Sequence, residues 1–581
     1  MWNNLKAGRF FISLFILFAT SLFFLLSSWP AVQFGEMLSL FPPLMAVLLV
    51  LISQNVYLGL GGAVLIGASV KVNLAFPAQD ISFLKSSWHF YTNSLQDSWN
   101  LQILAFIPLM MICAHLIIMQ GGIQQILNAL GKWAKGRKMT QLATIASGTI
   151  LFFDDYANTM MVGPAMRPLA EKNGISPQKL AFLVDATSAP ISGVAVVSTW
   201  IGHELGLFRQ LSQSLSLNLD EFNMFLDALP FRFYCIMMLM FTLVITFLNR
   251  DFGSMLTAEK NYLREHHQKK ASLVKKEEEE KPQSLFIAFL SSFFPLMMIF
   301  LSLLFGLWLD GSGADLLASS TQFWFFTLFS LEHWKDVLVA SDNSITVLLI
   351  SSLIGFFLTV MSCLFLTKIK RKEVVLGILS AIKGSLFPLI ILSFSWALKA
   401  VCDDLQTGSY IATLLSGVIS PFWYTTFVFL ISAAISFCIG TSWGTMAILL
   451  PTAIPLAYSL DANSYGIITM VSLAAVLDGS IFGDHCSPLS DTTIMSSIST
   501  NCDPLEHVKT QLPYGLFVGI TSILFGHLWV LSGGSIFYSY LFSLLFMISF
   551  VFLVGRNPEK RVRKEREEEE DRLVNLANKT T

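Results

Sequence analysis

The chain has 581 residues, of which 54% are hydrophobic and only 13% are charged. A soluble globular domain carries about 25% charged residues, so this composition excludes an ordinary soluble protein and indicates a membrane protein. The net charge of −2 gives no reason to expect a nucleic-acid partner. A lipid bilayer is therefore the expected surrounding of most of the chain.

Long apolar runs in the chain approach the length of about 20 residues that a membrane-spanning helix needs. They lack strand-like alternation, and backbone groups in lipid must be satisfied internally, so helices are favoured over a barrel. The runs are 10–29, 231–247, 285–309, 345–366, 512–531 and 535–554. We expect an all-α polytopic membrane protein with about 11–14 membrane segments.

Lysine and arginine residues fall into clusters that predict the orientation of the chain. Cytoplasmic loops carry an excess of these residues, which predicts a multi-pass protein with both termini in the cytoplasm. The polar segments 73–100 and 310–343 lack such clusters and are predicted to be outer loops. The clusters lie at 6–9, 132–138, 250–281, 368–372 and 556–564.

Three short motifs recur in the same order in the two halves of the chain. The first copy of the repeat is predicted to enter the membrane from outside and the second from the cytoplasm, so the repeats are inverted. Inverted repeats with helices broken by glycine or proline point to the binding site of a secondary transporter. We expect broken helices and re-entrant hairpins. The motif pairs are FIPL at 106–109 with LFPL at 386–389, PAMRPLA at 164–170 with PTAIPLA at 451–457, and SAPIS at 188–192 with CSPLS at 486–490.

These patterns predict an order of segments along the chain. N-terminal membrane helices and an outer loop precede the first repeat, and a charged cytoplasmic linker follows it. Connecting helices, the second repeat, C-terminal helices and a charged cytoplasmic tail complete the chain. The expected bounds are, in this order, 1–100, 101–248, 249–284, 285–373, 374–511, 512–555 and 556–581.

Two adjacent carboxylates, Asp154 and Asp155, lie in an otherwise apolar stretch. The corresponding stretch of the second repeat, GTSWGT at 440–445, is rich in hydroxyl groups. Small hard cations prefer oxygen ligands, and a buried carboxylate can exchange a bound proton for a cation because burial and a cation shift its pKa in opposite directions. We predict that the two stretches face each other around a cation, with Asp155 exchanging the proton; the alternative is that the aspartates cap a helix. The predicted ligands are Asp154, Asp155, Asn158, Thr441, Ser442 and Thr445.

A second element of each repeat combines a proline with carboxylates and hydroxyl groups. Broken helix ends inside a membrane protein can line such a site, although the same residues also mark ordinary turns. His485 could tune protonation, and no second Cys or His stands at zinc-ligand spacing. Arg167 could bind an organic carboxylate or anchor the cytoplasmic edge. No cofactor is expected. The predicted lining residues are Asp185, Thr187, Ser188, Asp484, Ser487, Ser490 and Asp491.

These motifs resemble those of the NhaC-type Na⁺/H⁺ antiporter family. The resemblance rests on FDDYANT at 153–159, MRPL at 166–169, STWIG at 198–202, GTSWGT at 440–445 and GDHCSPLSDTT at 483–493. It implies a carrier of the bacterial inner membrane that exchanges Na⁺ for H⁺, built from two inverted repeats and usually dimeric. Other branches of the family have Lys-Leu where this chain has His485-Cys486, and relatives include exchangers of organic acids.

Three other functions fit parts of the pattern. A Na⁺- or H⁺-coupled carrier of an organic anion or amino acid would use Arg167 and the Thr441 segment to contact its solute. An intramembrane aspartyl protease needs one catalytic Asp in each half, and the Thr441-Ser442 stretch has none. A channel is a third possibility, but buried paired carboxylates suit coupled exchange better than they suit conduction. We therefore expect a transporter and not an enzyme.

Overall fold

We analysed a computed structural model of the chain. Within its described part, every regular element is a helix, apart from one isolated backbone bridge between Asp251 and Arg556. The predicted first span, 10–29, and part of the charged linker lie outside the described residues. The structure describes residues 37–53, 55–74, 83–96, 98–122, 125–126, 134–217, 219–269, 284–319, 333–334, 337, 340, 343–367, 369–407, 410 and 420–580.

The first half of the chain contains mostly short helices, some of which flank the predicted first site in the sequence. Its helices are α1 Phe41–Ser53, α2 Val56–Leu74, α3 Phe83–Gln96, α4 Ser98–Met119, α5 Gly136–Ile150, α6 Asp155–Lys172, α7 Pro177–Asp185, α8 Ala189–Ser192, α9 Thr199–Ser214, α10 Glu221–Ala228, α11 Phe233–Leu248 and α12 Gly253–Lys269. A single 3₁₀ turn, Leu229–Phe231, joins α10 to α11.

The second half contains longer helices, three of which include a widened π-helical turn. Its helices are α13 Leu285–Asp310, α14 Gly313–Ser319, α15 Ser344–Leu366, α16 Arg371–Asp404, α17 Pro421–Ile439, α18 Ser442–Leu460, α19 Ile467–His485, α20 Asp491–Thr500, α21 Pro504–Leu531, α22 Ile536–Leu553 and α23 Pro558–Thr580. The last helix is separate from α22, because residues 554–557 interrupt the helical backbone.

The described residues contain nine helices that are long and apolar enough to cross a membrane. A tenth span is formed if the bent pair Glu221–Phe231 and Phe233–Leu248 is counted as one. The chain is thus an all-α, multi-pass membrane protein. Leucine, phenylalanine and isoleucine side chains remain exposed along α13, α15, α16 and α22, as expected for helices that face lipid.

The helices form two compact units. The first unit comprises Met1–Gln120, Gly193–Phe233 and Leu290–Asp484, and the second comprises Gly121–Ser192, Tyr234–Phe289 and His485–Thr581. Each unit therefore contains segments of both predicted repeats.

The repeat can be followed through the residues that cap its helices. Asp154 and Thr441 cap α6 and α18 with nearly the same backbone angles, φ −158° and ψ 125° against φ −152° and ψ 124°. Each side chain accepts a bond from the backbone N–H three residues later.

Candidate functional site

The first candidate stretch is a tight turn between α5 and α6 in the second unit. The Oδ1 atom of Asp154 accepts a hydrogen bond of 2.7 Å from the backbone N–H of Ala157, so the capping role weighed from the sequence is real for this residue. Asp155 is the first residue of α6 and is only 3% exposed. The positive end of the helix dipole stabilises a carboxylate in this position.

Asn158 lies one turn further along α6, on the same face as Asp155. Its Nδ2 group donates to the carbonyl oxygens of Gly148, at 2.8 Å, and Thr187, at 2.6 Å. Both donor positions are thus used to join α6 to α5 and to the end of α7. Its Oδ1 atom is buried and has no hydrogen-bond partner among the described residues, so this oxygen is available to a ligand.

The chain breaks its helix directly after Asp185, the last residue of α7, and resumes it at α8. Asp185 is 1% exposed. Its Oδ2 atom accepts a 2.7 Å bond from Nε2 of Gln511 and a 3.3 Å bond from the hydroxyl group of Thr493. Its Oδ1 atom is buried, and no described residue bonds to it. Asp185 and Asn158 therefore each present one uncommitted oxygen in the same unit.

Two histidines flank the carboxylate of Asp185. Nε2 of His507 lies 3.4 Å from its Oδ2 atom, and Nε2 of His485 lies 3.7 Å from it. Nδ1 of His485 pairs with the hydroxyl group of Tyr234 at 2.8 Å, and Gln511 donates to the backbone carbonyl of His485. A protonated histidine here would balance the charge of Asp185. Sequence reasoning named His485 but missed His507, Gln511 and Tyr234.

In the first unit, the second candidate stretch also forms a turn and a cap. The hydroxyl group of Thr445 donates to the carbonyl of Thr441 at 2.9 Å. The hydroxyl group of Ser442 donates to Oδ2 of Asp484 at 2.7 Å, so the structure brings together residues from both predicted elements of the second repeat. The predicted arrangement of this stretch facing Asp154 and Asp155 stays a prediction.

The other predicted residues have local or surface roles. Thr187 and Ser188 donate to carbonyl groups of the last turn of α7, whereas Ser490 caps α20. Ser487 is buried and accepts a bond from the backbone N–H of Leu489. At the surface, Asp491 is exposed on the first turn of α20, and Arg167 forms an exposed pair with Glu171 at 2.8 Å.

A buried ionic group in the first unit was not expected from the sequence. Nε of Arg232 donates to Asp478 at 2.8 Å, and its Nη1 group donates to Glu204 at 3.2 Å. Asp478 lies 246 residues from Arg232, and Arg232 lies within the apolar run at 231–247, which reads as an ordinary span. The one signal in the sequence that could have identified these residues is that charged side chains are rare in apolar surroundings.

No group of three metal-ligating side chains occurs in the part of the chain that the structure describes. The arrangement in the second unit instead suits a weakly held monovalent ion or a proton. It offers single carboxylate and amide oxygens rather than a closed ligand cage. Buried ionisable groups of this kind inside a membrane are expensive and mark ion or proton pathways.

A multi-pass helical protein with broken helices and buried carboxylates at the breaks belongs to the class of secondary transporters. The model of the Na⁺/H⁺ antiporter family matches residues 194–528, more than half of the chain. The chain therefore belongs to the Na⁺/H⁺ antiporter family.

The chain is also similar to individual curated proteins and, in its fold, to a solved structure. The chain is 28% identical to an uncharacterised protein of Haemophilus influenzae over 489 residues, which are 83% of this chain and 88% of that protein. It is 31% identical over 159 residues to the malate-2H⁺/Na⁺-lactate antiporter of Bacillus subtilis, covering 25% of this chain and 33% of that protein. The fold is similar to that of the YdaH transporter of Alcanivorax borkumensis, with a TM-score of 0.53 at 14% identity over 83% of this chain and 98% of that chain.

Proposed function

We propose that the protein exchanges Na⁺ for H⁺ across the bacterial inner membrane, with both termini in the cytoplasm. The observation that carries this proposal is the carboxylate of Asp185, buried at a helix break with one oxygen that no described residue binds. Membership of the Na⁺/H⁺ antiporter family suggests Na⁺ and H⁺ as the transported ions. The buried oxygens of Asp185 and Asn158 are groups able to bind them.

Exchange requires that a proton and a cation compete for the same groups. We assign the proton-exchanging role to Asp155, because Asp154 is committed to capping α6. Asp185 and Asn158 offer oxygen atoms to the cation, and a hydrogen bond from Asn158 to the carbonyl of Thr187 ties α6 to the turn after Asp185. His485 and His507 are placed to balance the charge of Asp185 when the cation is absent.

Purified protein in proteoliposomes tests the proposal. A pH-sensitive dye is enclosed, and Na⁺, Li⁺ or K⁺ is added outside in separate pulses. A pH change inside that follows the Na⁺ gradient, and that protein-free vesicles lack, supports exchange. If none of the cations caused a pH change, the proposal would be contradicted.

A second candidate function is the exchange of an organic anion coupled to Na⁺ or H⁺. It is favoured by the similarity of a quarter of the chain to an antiporter of malate and lactate. The cationic contact expected from the sequence, Arg167, is exposed and paired with Glu171. In the same vesicles, a proton movement that requires malate, lactate or an amino acid would favour this candidate over simple cation exchange.

We also propose that the protein works in the membrane as a homodimer and acts as a carrier without enzymatic activity. The resemblance to a family of transporters supports both statements. The mass of the detergent-solubilised protein, measured by light scattering with the detergent contribution subtracted, tests the dimer. A single-chain mass at all concentrations used for transport would contradict it.

A further inference from the structure

Arg232 lies at the junction between α10 and α11 and is bonded to two carboxylates from distant helices. Glu204 belongs to α9 and Asp478 to α19, and all three side chains are at most 1% exposed. The three residues lie within the first unit. We call them the Arg232 triad.

The charges of the Arg232 triad do not balance. One guanidinium group can neutralise one carboxylate, so the triad carries a net negative charge if both acids are ionised. A buried uncompensated charge costs several kcal/mol even after the protein relaxes, and a charge inside a membrane is similarly costly. Another positive charge must therefore accompany the triad.

The two carboxylates differ in how firmly they are bound. Asp478 accepts the shorter bond, 2.8 Å, whereas Glu204 accepts one of 3.2 Å. The second oxygen of Glu204, Oε2, is buried and has no hydrogen-bond partner in the described part of the chain. An ionised carboxylate is poorly stabilised in this position, whereas a protonated one loses the charge that makes burial expensive.

From this geometry we infer that Glu204 is a proton-binding site, separate from the carboxylates of the second unit. Arg232 remains paired with ionised Asp478, and the proton neutralises Glu204. A metal-ion cargo would need several oxygen ligands, whereas a proton needs only the free oxygen of Glu204. The inference holds whichever cation the protein transports.

The charged groups around Glu204 support this assignment. Helices α4, α10, α16 and α18 pack against α9, and the charges that act on Glu204 are those of Arg232 and Asp478. The neighbouring His203 contacts the carbonyl of Trp443 through Nε2 at 3.2 Å. Two other charges on these helices are in pairs of their own: Glu221 of α10 with Arg209, and Lys399 of α16 with Asp403.

Infrared spectroscopy of the purified protein tests the inference directly. A protonated carboxylic acid has a C=O stretching band that a carboxylate lacks. We expect the wild-type protein at neutral pH to show this band, and we expect ¹³C labelling of the glutamate carboxyl groups to shift it. Absence of the band, or a band unmoved by the label, would overturn the assignment to Glu204.

Two variants should remove the band for different reasons. Glu204→Gln deletes the acid, and Asp478→Asn leaves Glu204 as the one ionisable carboxylate of the Arg232 triad, which should make it ionise. Glu221→Gln is the matched control, because Glu221 is buried but paired one-to-one with Arg209; its band should match the wild type. Persistence of the band in Asp478→Asn would contradict the inference even if Glu204→Gln failed to fold.

Discussion

Asp154 and Asp155 are adjacent in sequence and differ in what the structure requires of them. Asp154 must accept a bond from the N–H of Ala157 to cap α6. Asp155 has no place in that cap, yet it is almost fully buried. A buried carboxylate that the cap itself does not use is a candidate for function.

The first prediction separates these two carboxylates. Asparagine caps helices as well as aspartate does, so Asp154→Asn should keep the fold and most of the Na⁺-driven proton movement. Asp155→Asn removes a charge with little change of shape and should reduce that movement by about tenfold or more, which corresponds to ~1.4 kcal/mol or more. Initial rates in proteoliposomes at equal protein content measure both. Equal losses in the two variants would show that Asp155 has no special role.

Single residues also mark the limit of what the sequence could predict. The capping role that the sequence offered as the alternative for Asp154 and Asp155 is found for Asp154. The sequence could not predict that Asp491 would be exposed, because it follows Ser490 in a motif of buried residues. Nor could it predict the link between Glu204 and Arg232, because that link depends on the packing of helices far apart in the chain.

At the scale of elements, the repeat was the most informative sequence feature. The caps at Asp154 and Thr441 show that it reproduces backbone geometry as well as sequence. The prolines in the middle of α6 and α18 do not end either helix, although proline usually kinks or breaks a helix. Sequence periodicity therefore predicted the segments better than it predicted where their helices stop.

The second prediction concerns the close contact between α5 and the turn after α7. A Cβ atom at Gly148 would overlap the side chain of Thr187, whereas one at Gly384 in α16 would make an ordinary contact with Met111. Alanine favours a helix over glycine by about 1 kcal/mol. We expect Gly148→Ala to lower stability by ~1–3 kcal/mol through overpacking and to slow exchange, and Gly384→Ala to do neither. Thermal unfolding in detergent measures the stability of both variants, and proteoliposomes measure their exchange rates. If Gly148→Ala were as stable and as active as Gly384→Ala, the close contact between Gly148 and Thr187 would be contradicted.

At the scale of the whole molecule, the described residues of the charged linker and tail include helices α12 and α23 of the second unit. Lys179, at the start of α7, forms a buried pair with Asp251 at 2.6 Å, and the hydroxyl group of Tyr514 donates to the same carboxylate at 2.7 Å. Arg137 pairs with Glu259 of α12. Helix α7 is therefore held at its start by ionic contacts and carries Asp185 at its other end. The sequence predicted a charged cytoplasmic linker, and in the structure its residues Asp251 and Glu259 are buried.

The third prediction tests this ionic group. Asp251→Asn leaves Lys179 buried without its counter-ion, and breaking a buried pair in this way costs about 3–5 kcal/mol. Glu565→Gln is the control, because its pairs with Lys260 and Arg264 are partly exposed and are worth at most ~1 kcal/mol each. The apparent unfolding temperature should fall much further for Asp251→Asn. Similar small losses in both variants would mean that the Lys179 pair contributes little.

The fourth prediction gives the pH dependence of the same group. Burial alone would raise the pKa of Asp251, but the nearby charges of Lys179 and Arg137, with hydrogen bonds from Lys179 and Tyr514, hold this pKa below its ordinary value. The stabilisation is therefore complete above the unfolded-state pKa of about 3.9 and is lost as the pH falls through the lower folded-state pKa. Acid unfolding followed by tryptophan fluorescence should be less steep in Asp251→Asn. An unchanged acid transition would contradict this account.

The central claim is tested most directly by comparing ion exchange in proteoliposomes between the wild type and two variants, Asp185→Asn and Asp491→Asn. Both are carboxylates of the predicted site, but the structure buries Asp185 and exposes Asp491. Our account predicts that Na⁺-driven proton movement falls by about tenfold or more, or ~1.4 kcal/mol or more, in Asp185→Asn and stays near the wild-type rate in Asp491→Asn. Undiminished proton movement in Asp185→Asn would contradict the placement of the ion-binding site at the break after α7.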